Sequence, residues 1–483
     1  MKLILPEENR VIETAGTETL LDALRNAGLH PNAPCGGKGT CGKCRVLVDG
    51  QERLACQTMV DRDMTVRLPK RRDAQILTDT GTGAVTPDGT DRYVIAFDLG
   101  TTTVVAYLMD GRTGDLLSKA GCVNPQTQFG ADVISRIQYA LEGQGKVLSG
   151  CIRETLGELT RQAANQANIR PEEITTASIV GNTAMHHLLL EIDPKPLTVP
   201  PYMPSVSQAL CLSPVGLLPI SPSGRVRILP NIAGFVGGDT VGCMVATRLD
   251  AREELTLLID IGTNGEMVLG NKKRRIACST AAGPAFEGAK IECGMGGAPG
   301  AIDHVRLKDG ALDYHVIGER EATGLCGSGL LDLTACLLKI GVIDESGRME
   351  KKRCPIGDSR VYLTQKDVRE VQLAKAAIRA GIELMCRAMG VTVGRIRRVL
   401  LAGAFGNYLD PQSACEIGMI PPALRDRIWP IGNAAGEGAC LAALSAGEFE
   451  YSKQFAQNTE FLELASVPEF NDCFIDCLGF EEE

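Results

Sequence analysis

The chain has 483 residues, of which 44% are hydrophobic and 23% are charged, and its net charge is −9 at pH 7. These values are typical of a globular protein of roughly two to four domains, because a single core stops growing near roughly 250–300 residues. The acidic balance and the aromatic content of 4% argue against nucleic-acid and anionic-membrane partners, which both require a basic face.

The N-terminus and the cysteine content favour a cytoplasmic protein. The opening residues MKLILPEENR lack the apolar stretch of a signal peptide, and no uncharged apolar run approaches the roughly 20 residues that span a bilayer. Thiols stay reduced in the cytoplasm, so the 18 cysteines are not predicted to form disulfides. They indicate a metal or cluster site, together with a larger number of buried thiols.

Residues 1–70 are predicted to form a small α+β domain. Residues 17–29 are predicted to be a helix, with Thr17 as its N-cap and Gly28 as its terminator. The predicted strands are 2–5, 10–15, 45–48, 53–57 and 64–68. The polar stretch 71–92 is rich in Gly, Thr and Pro, which is typical of a linker.

Four cysteines of this first block have the spacing C-x5-C-x2-C-x11-C. They are Cys35, Cys41, Cys44 and Cys56, and the first three lie on one Gly-rich loop. A [2Fe–2S] cluster needs four thiolates, and its loop needs glycines so that backbone N–H groups can approach the sulfurs. A structural zinc site also uses four cysteines but usually pairs two C-x2-C knuckles. The spacing therefore favours the iron–sulfur cluster over zinc, and the loop resembles that of the [2Fe–2S] ferredoxins.

From residue 93 onward the chain contains an internal duplication. A strand, a Gly-Thr turn and two more strands around DLGTTT (98–103) recur in the same order around DIGTNG (260–265). Helical sequence follows each copy, so the pattern predicts two similar α/β lobes, at 93–254 and 255–483.

Each copy of the duplicated motif places an aspartate at the end of a strand, before a turn with backbone donors and hydroxyls. Asp98 and Asp260 would repel phosphate, so we expect them to act through Mg²⁺, held directly or through water, and to position the attacking water. The residues predicted to meet the phosphates are Gly100, Thr101, Thr102, Gly262, Thr263 and Asn264. Asp239 follows two glycines at a predicted helix start, so it is expected beside the metal or as an ordinary N-cap.

A third strand-to-glycine turn, LAGAFGNYL, occupies residues 401–409. The sequence before it predicts an amphipathic helix at 363–390, with a capping box of Thr364 and Asp367 and apolar residues at helical spacing. This order of two hairpins, a long helix and a third turn is the basis of the resemblance described next.

The two hairpins and the later turn resemble the superfamily of acetate kinase, sugar kinases, heat-shock ATPases and actin. This resemblance implies a duplicated, two-lobed actin-like (ribonuclease H-like) ATPase. It further implies that the later turn binds adenosine through Gly403, Ala404 and Gly406. The two helices that connect the lobes would lie at 234–249 and 432–445, which are both rich in Gly and Ala.

Nearly the whole chain resembles the reductive activators of corrinoid-dependent methyltransferases. The resemblance is carried by the ferredoxin block, the ATPase and the segments NPQTQFGADVISRIQYA, SIVGNTAMHHLLL and CSTAAGPAFEGAKIECGMGG. It implies a β-grasp ferredoxin domain and ATP-dependent transfer of one electron from the [2Fe–2S] cluster to Co(II) corrinoid, restoring Co(I). It also implies a corrinoid methyl-carrier protein as partner and a homodimer, whereas no motif identifies the upstream electron donor. Longer members carry a further middle domain, for which the stretch from Cys56 to Asp98 leaves no room.

Three other functions are compatible with parts of the sequence. A small-molecule kinase with a fused ferredoxin domain would need an acceptor site, and no acceptor signature is present. An activator of 2-hydroxyacyl-CoA dehydratases would share a [4Fe–4S] cluster between subunits, which the N-terminal cysteine loop argues against. A ferredoxin on an actin-like scaffold would form filaments, and the presence of both Asp98 and Asp260 argues against it.

Two further pairs of residues are predicted to be structural. Ser279 and Thr280 follow a strand near the cleft, where a tight turn that closes the nucleotide site is favoured over a hydroxyl that faces the corrinoid cobalt. Cys473 and Cys477 lie one helical turn apart, and isolated thiols are favoured over a second metal site because two more ligands would be needed.

Overall fold

The computed structural model describes residues 1–8, 10–14, 16–27, 29, 31, 37, 39, 44–68 and 86–480, except the side chains of residues 404 and 407. Two of the predicted cluster ligands, Cys35 and Cys41, lie outside the described residues, as does the predicted helix terminator Gly28. The predicted linker is described only from residue 86 onward.

The N-terminal part forms one mixed sheet and one helix. Its elements are β1 (Lys2–Leu5), β2 (Arg10–Glu13), α1 (Leu20–Asn26), β3 (Arg45–Val48), β4 (Gln51–Leu54) and β5 (Met64–Arg67). The strand order is β2-β1-β5-β3-β4, in which β1 and β5 are parallel and the other pairs are antiparallel. Alternate strand residues such as Leu3, Val46 and Val66 pack on the leucines of α1 in a buried core. This is the β-grasp arrangement that the resemblance implies.

Two boundaries in this part differ from the prediction. The helix begins at Leu20 and its N-cap is Thr19, whose hydroxyl accepts from the Asp22 amide at 3.2 Å, so the prediction of Thr17 was wrong. The reason is tertiary, because Thr19 forms a β-bridge with Met59 that holds the chain extended up to the cap. The strand predicted at 53–57 ends at residue 54, where a turn of 3₁₀ helix begins.

The first lobe contains six strands and four helices. They are β6 (Tyr93–Leu99), β7 (Thr103–Asp110), β8 (Leu116–Val123), α2 (Val133–Tyr139), α3 (Gly145–Gln166), β9 (Ile174–Gly181), α4 (Thr183–Leu190), β10 (Leu210–Leu212), β11 (Arg225–Ile228) and α5 (Gly238–Thr247). A single π-helical turn joins α2 to α3.

The second lobe has a core sheet and an inserted set of short strands. Its elements are β12 (Thr256–Ile261), β13 (Gly265–Gly270), β14 (Arg275–Thr280), β15 (Ala301–Lys308), β16 (Ala311–Val316), β17 (Gly324–Leu325), α6 (Gly327–Lys339), β18 (Arg353–Pro355), β19 (Tyr362–Thr364), α7 (Gln365–Met389), β20 (Arg398–Ala402), α8 (Gly403–Tyr408), α9 (Pro411–Glu416), β21 (Ile428–Pro430), α10 (Ala434–Leu444), α11 (Ala446–Gln457), β22 (Glu460–Phe461) and α12 (Phe470–Asp476).

The two lobes repeat one topology. Strands β6, β7 and β8 form an antiparallel meander, β9 pairs parallel with β6, and β11 pairs parallel with β9. Strands β12, β13 and β14 form the second meander, to which β20 and β21 add in parallel in the same way. The predicted duplication is confirmed, and the register sets the last residues of β6 and β12 at equivalent places.

Two glycine-containing helices fill the space between the sheets. In α5 and α10, Gly242 and Gly438 face each other, and a Cβ on Gly438 would lie 2.5 Å from the Gly242 Cα. Ordinary van der Waals contacts of a Cβ atom begin near 3.4 Å, so only glycine allows the two helix backbones to approach this closely. The buried core around them takes Val94 and Val180 from the first sheet and Leu258 from the second. The short side chains predicted for the two connecting helices therefore serve close packing of the lobes.

The long helix predicted in the second half is confirmed with its cap. Helix α7 begins after Thr364, whose hydroxyl accepts from the Asp367 amide while the Asp367 carboxylate accepts from the Thr364 amide at 2.9 Å. Its apolar positions, among them Val368, Val371 and Ile378, are buried in the second lobe. The helix packs across β13 and β14, which supports the second hairpin from behind.

The described end of the predicted linker is bonded to both lobes. The Asp88 carboxylate accepts from the Ser445 hydroxyl at 3.0 Å and from the Ala446 amide at 2.6 Å. The Asp91 carboxylate accepts from the hydroxyls of Thr175 and Thr176 at 2.6 and 2.8 Å. Residues 86–92 are thus held against both lobes before β6 begins.

Throughout the described residues, each helix is too short or too polar to cross a membrane.

Candidate functional site

Asp98 and Asp260 are the second-to-last residues of β6 and β12, and each is partly buried where the lobes meet. Asp98 lies opposite Val180 on β9, and Asp260 lies opposite Ala402 on β20. Because both strands are the first of a meander, the duplicated topology brings the two carboxylates to one region.

Three aspartates of this region have raised pKa values. Burial raises the pKa of Asp98 to about 6. Burial, and then the charges of Asp239 and Asp98, raise the pKa of Asp260 to about 7. Asp239, in the first turn of α5, has a pKa raised to about 6 by burial and by Asp98, although its carboxylate accepts from the Thr240 amide at 2.7 Å. Asp239 is therefore part of this acidic cluster and does not cap the helix, whose N-cap is Gly237.

A fourth carboxylate of the cluster, Glu266, was missed by the sequence analysis. It lies directly opposite Asp260 in the antiparallel pair of β12 and β13, so both side chains point to the same face. Burial and the charges of Asp239 and Asp260 raise its pKa well above the ordinary value. The register of the DIGTNGE hairpin was the available signal, because residues six apart pair across a three-residue turn.

Asn433 is a second residue that was missed. Its side-chain oxygen caps α10 by accepting from the Gly436 amide at 2.8 Å, while its Nδ2 donates to Asp98 at 2.7 Å and to the Tyr107 hydroxyl at 3.0 Å. The bond from Asn433 lowers the pKa of Asp98 against the effect of burial. The second connecting helix is thus tied to the first hairpin through one amide.

The first hairpin is braced by three side chains of its own lobe. The Asn124 side chain donates to the Gly100 carbonyl at 2.8 Å, and the Asn124 amide donates to the Thr102 carbonyl at 2.8 Å. The buried guanidinium of Arg136 donates to the Thr101 carbonyl at 2.6 Å. The Thr101 hydroxyl accepts from the Asn182 side chain at 2.8 Å. These bonds occupy the carbonyls of the turn and leave its backbone N–H groups as the groups that a phosphate would meet.

The hydroxyls of Thr102 and Thr263 share one partner. Thr102 donates to Oε2 of Glu287 at 3.0 Å, and Thr263 donates to Oε1 of the same carboxylate at 2.7 Å. Asn264, the last predicted phosphate contact, donates to Glu266. Glu287 was not predicted as a site residue, although it lies within the segment CSTAAGPAFEGAKIECGMGG that carries the family resemblance.

The predicted glycines occupy different environments. Gly403 has a φ of +84°, and a Cβ there would lie 2.6 Å from Oδ1 of Asp260, so the later turn begins against the acidic cluster. A Cβ on Gly406 would lie 3.3 Å from the Leu401 Cβ on the preceding strand, whereas a Cβ on Gly262 would meet the Asn264 carbonyl oxygen at 3.9 Å. The backbone of Ala404 lies in α8, between Gly403 and Gly406.

Ser279 and Thr280 are the last residues of β14. The Ser279 hydroxyl donates to Glu266 at 3.4 Å, and the Thr280 hydroxyl donates to the Gly265 carbonyl at 3.2 Å. The turn expected at this pair begins one residue later, where the Ala282 amide bonds to Thr280. Both hydroxyls therefore support the second hairpin.

The two described cluster cysteines lie side by side. The sulfurs of Cys44 and Cys56 are 3.2 Å apart, since the Ala55 amide donates to the Cys44 carbonyl at 2.8 Å and folds the 3₁₀ turn back on β3. The guanidinium of Arg25, at the end of α1, donates to the Gln128 carbonyl of the first lobe. The ferredoxin-like part is thus bonded to the same 124–130 segment that braces the first hairpin.

Within the described residues, no three His, Cys, Asp or Glu side chains lie close enough together to ligate one metal ion.

Family models match three consecutive parts of the chain. They are the 2Fe-2S iron-sulfur cluster binding domain at residues 4–64, the RACo middle region at 93–252, and the C-terminal domain of RACo, the ASKHA domain, at 254–483.

Two curated proteins and one solved structure are similar over most of the chain. The corrinoid activation enzyme RamQ of Eubacterium limosum is 32% identical over 584 aligned positions, covering 98% of each chain. The [Co(II) methylated amine-specific corrinoid protein] reductase of Methanosarcina barkeri is 27% identical over 68% of this chain and 66% of its own. A solved reductive activator for a corrinoid, iron-sulfur protein superposes with a TM-score of 0.73 at 28% identity, covering 99% of this chain and 98% of its own.

Proposed function

The chain belongs to the family of the corrinoid activation enzymes, and we propose that it is an ATP-dependent reductive activator of a corrinoid protein. In the proposed reaction one electron passes from the reduced [2Fe–2S] cluster to the Co(II) corrinoid of a methyl-carrier protein, and Co(II) becomes Co(I). The observation that carries this proposal is the presence, in one chain, of paired cysteines beside a ferredoxin sheet and a two-hairpin acidic cluster.

The acidic cluster fits a hydrated divalent cation. Its carboxylates raise one another's pKa, so a positive charge among them relieves a repulsion that the protein does not otherwise compensate. We propose that Asp98 and Asp260 accept hydrogen bonds from the waters of Mg²⁺ and orient the attacking water. When bound, Mg²⁺ neutralises the phosphate charge that develops during hydrolysis.

The remaining site residues take the nucleotide in this proposal. The backbone N–H groups of the turn at Gly100 point to the phosphates, since the carbonyls of this turn are already bonded. In the second turn the Gly262 N–H already donates to the Asn264 carbonyl at 2.9 Å, so the N–H groups of Thr263 and Asn264 are the proposed phosphate contacts. The later turn from Gly403 to Gly406 takes the adenosine. Its first glycine touches Asp260, so the adenosine turn and the metal site are in direct contact.

The ferredoxin-like part fits a [2Fe–2S] cluster because it brings cysteine sulfurs together. Cys44 and Cys56 present two sulfurs at one place although they are distant in sequence, and Cys35 and Cys41 are the proposed third and fourth ligands. A bound cluster supplies the electron. Because a one-electron step costs a factor of ten for each ~59 mV, an uphill gap of about 120 mV requires about 2.8 kcal/mol, which ATP can supply through differential binding.

The partner, the assembly and the location complete the proposal. The partner is the corrinoid protein of a methyltransferase system, the activator forms a homodimer, and it works in the cytoplasm. The boundaries 1–70, 71–92, 93–254 and 255–483 are the proposed ferredoxin domain, linker and two ATPase lobes.

The test uses anaerobically purified protein with a chemically reduced cluster, mixed with a Co(II) corrinoid protein. Cobalt absorption is followed with and without Mg-ATP for the wild type, for Asp260→Asn, and for Asp115→Asn as a control on an exposed turn. We expect Co(I) to form only when Mg-ATP is present, and only with the wild type and the Asp115→Asn control. ATP turnover that leaves Co(II) unchanged would contradict the activator function, and phosphorylation of an added small molecule would support a kinase.

A further inference from the structure

Glu287 connects the two lobes at the hairpins themselves. Its two carboxylate oxygens accept from hydroxyls of different lobes, Thr102 at 3.0 Å and Thr263 at 2.7 Å. Bonds of this kind, from a hydroxyl to an ionised acceptor, are roughly twice as strong as neutral ones. Glu287 is therefore a single side chain that fixes both threonines that sequence analysis assigned to phosphate.

The backbone around Glu287 holds the carboxylate in place. The next residue, Gly288, has a φ of +73°, and a Cβ there would lie 2.5 Å from the Met295 amide nitrogen. On the other side Phe286 stacks on Phe405 of the adenosine turn, with ring centroids 4.9 Å apart. The loop is thus locked between a glycine-only turn and an aromatic stack, so the position of the carboxylate is set by the fold.

The direction of these hydrogen bonds limits what the hydroxyls can do. A threonine hydroxyl has one proton, and a hydroxyl that donates this proton to Glu287 offers only lone pairs to other groups. Phosphate oxygens need donors, whereas the waters of Mg²⁺ and an attacking water need acceptors. Thr102 and Thr263 can therefore accept from water, and they cannot donate to phosphate while Glu287 holds their protons.

We propose that Glu287 is a positioning residue of the ATP site, which takes the hydroxyl protons of Thr102 and Thr263 and so turns both oxygens into acceptors for metal-bound and attacking water. Phosphate binding then falls to the backbone N–H groups of the turns. Burial raises the pKa of Glu287, and the hydrogen bonds from Thr263 and Thr102 and then the charge of Arg136, which also bonds the Thr101 carbonyl, act against burial and favour the ionised form. This inference rests on the proposed function, since it assumes an ATP site between the hairpins.

The test compares Glu287→Gln with the wild type and with Glu292→Gln. The glutamine has the same shape, but an NH2 group replaces one carboxylate oxygen. This group donates hydrogen bonds and cannot accept the proton of a threonine hydroxyl. Glu292 is a matched control in the same segment, since its carboxylate accepts from Tyr362 and Arg353 on the far side of the loop. Three quantities are measured without a corrinoid partner: the Kd of Mg-free ATP, the half-saturating Mg²⁺ concentration for hydrolysis, and kcat.

For Glu287→Gln we expect kcat to fall and the Mg²⁺ requirement to rise, each by about 10–100-fold, as is typical when an outer-sphere partner is removed. The Kd of Mg-free ATP is expected to stay within about twofold, because the residue does not face phosphate. Unchanged kcat and Mg²⁺ dependence would overturn the inference. A Kd changed by more than about fivefold in either direction would also overturn it, because Glu287 would then act on phosphate.

Threonine variants keep the test decisive if Glu287→Gln fails to fold. Thr102→Val removes the proton and the lone pairs together, and it is expected to lower kcat and raise the Mg²⁺ requirement in the same way. In a double-mutant cycle, Thr102→Val with Glu287→Gln should add little to either single change. Full additivity, or wild-type kinetics for Thr102→Val, would refute the inference. Wild-type protein that fails to bind ATP would instead refute the proposed function, so the two failures are distinguishable.

Discussion

The contact between Gly242 of α5 and Gly438 of α10 predicts the effect of a single added methyl group. In Gly438→Ala the new carbon would lie 2.5 Å from the Gly242 Cα, about 0.9 Å short of an ordinary contact that begins at 3.4 Å. The new Cβ is fixed by its own helix backbone and meets the backbone of α5, so no side-chain rotation can relieve the overlap. The helices must separate, and the lobes that they join must separate with them.

Two opposing effects determine the change in the free energy of unfolding. Overpacking costs about 1–3 kcal/mol, and a collision of a Cβ atom with a neighbouring helix backbone belongs at the upper end of this range. Replacing glycine by alanine inside a helix returns about 1 kcal/mol, so a net loss of about 2 kcal/mol is expected. The matched control is Gly150→Ala in α3, where a Cβ meets nothing within 4 Å, and there the same substitution should stabilise by about 0.5–1 kcal/mol.

The assay is urea unfolding followed by far-UV circular dichroism, with ATP hydrolysis measured on the same preparations. We expect a midpoint lower by about 0.5–1 M urea for Gly438→Ala and slightly higher for Gly150→Ala. Because lobe closure positions the hairpins, kcat and KM should change only in the first variant. The reasoning is refuted if both variants shift the midpoint in the same direction, or if Gly438→Ala is as stable as the wild type.

Three further predictions concern separate parts of the chain. Cys56→Ser should abolish the visible absorption of the [2Fe–2S] cluster, whereas Cys211→Ser, at an exposed position, should preserve it. Asn433→Ala should lower the free energy of unfolding by about 0.5–2 kcal/mol, because the N-cap of α10 is lost. The same change should shift the pH profile of ATP hydrolysis upward, because Asp98 loses the hydrogen bond that lowers its pKa. An unshifted profile would argue against a role of Asp98 in hydrolysis. The pKa of His304 is raised above 6.5 by its bond to a carboxylate of α6, so its contribution to stability is complete below pH 6.5 and is lost as the pH rises through the raised pKa. His304→Asn should therefore destabilise at pH 6 by less than about 1 kcal/mol, since the ring is half exposed, and should have no effect at pH 9 in urea titrations.

The sequence predicted those features that local pattern determines. The duplicated hairpins, the capped helix α7 and the small-residue connecting helices all follow from spacing within one segment, and the structure has each of them. The N-cap of α1 was misplaced because the choice between Thr17 and Thr19 depends on a β-bridge to Met59, forty residues away.

The candidate site was predicted in outline but not in its details. Asp98 and Asp260 carry a motif, whereas Glu266 is recognisable only from strand register and Asn433 only from the start of α10. Glu287 lies in a segment that carries the family resemblance, but its role comes from hydroxyls that lie 185 and 24 residues away in the chain.

The segment that braces the first hairpin provides a natural reporter for experiments in solution. The Asn124 amide is bonded to the Thr102 carbonyl, and four residues further on the Gln128 carbonyl is bonded to Arg25 of the ferredoxin-like part. The rate at which this amide proton exchanges with deuterium reports local opening of the segment. Undocking of the ferredoxin-like part and loosening of the hairpin would both raise the rate, so one peptide in an exchange experiment monitors both ends of the electron-transfer protein.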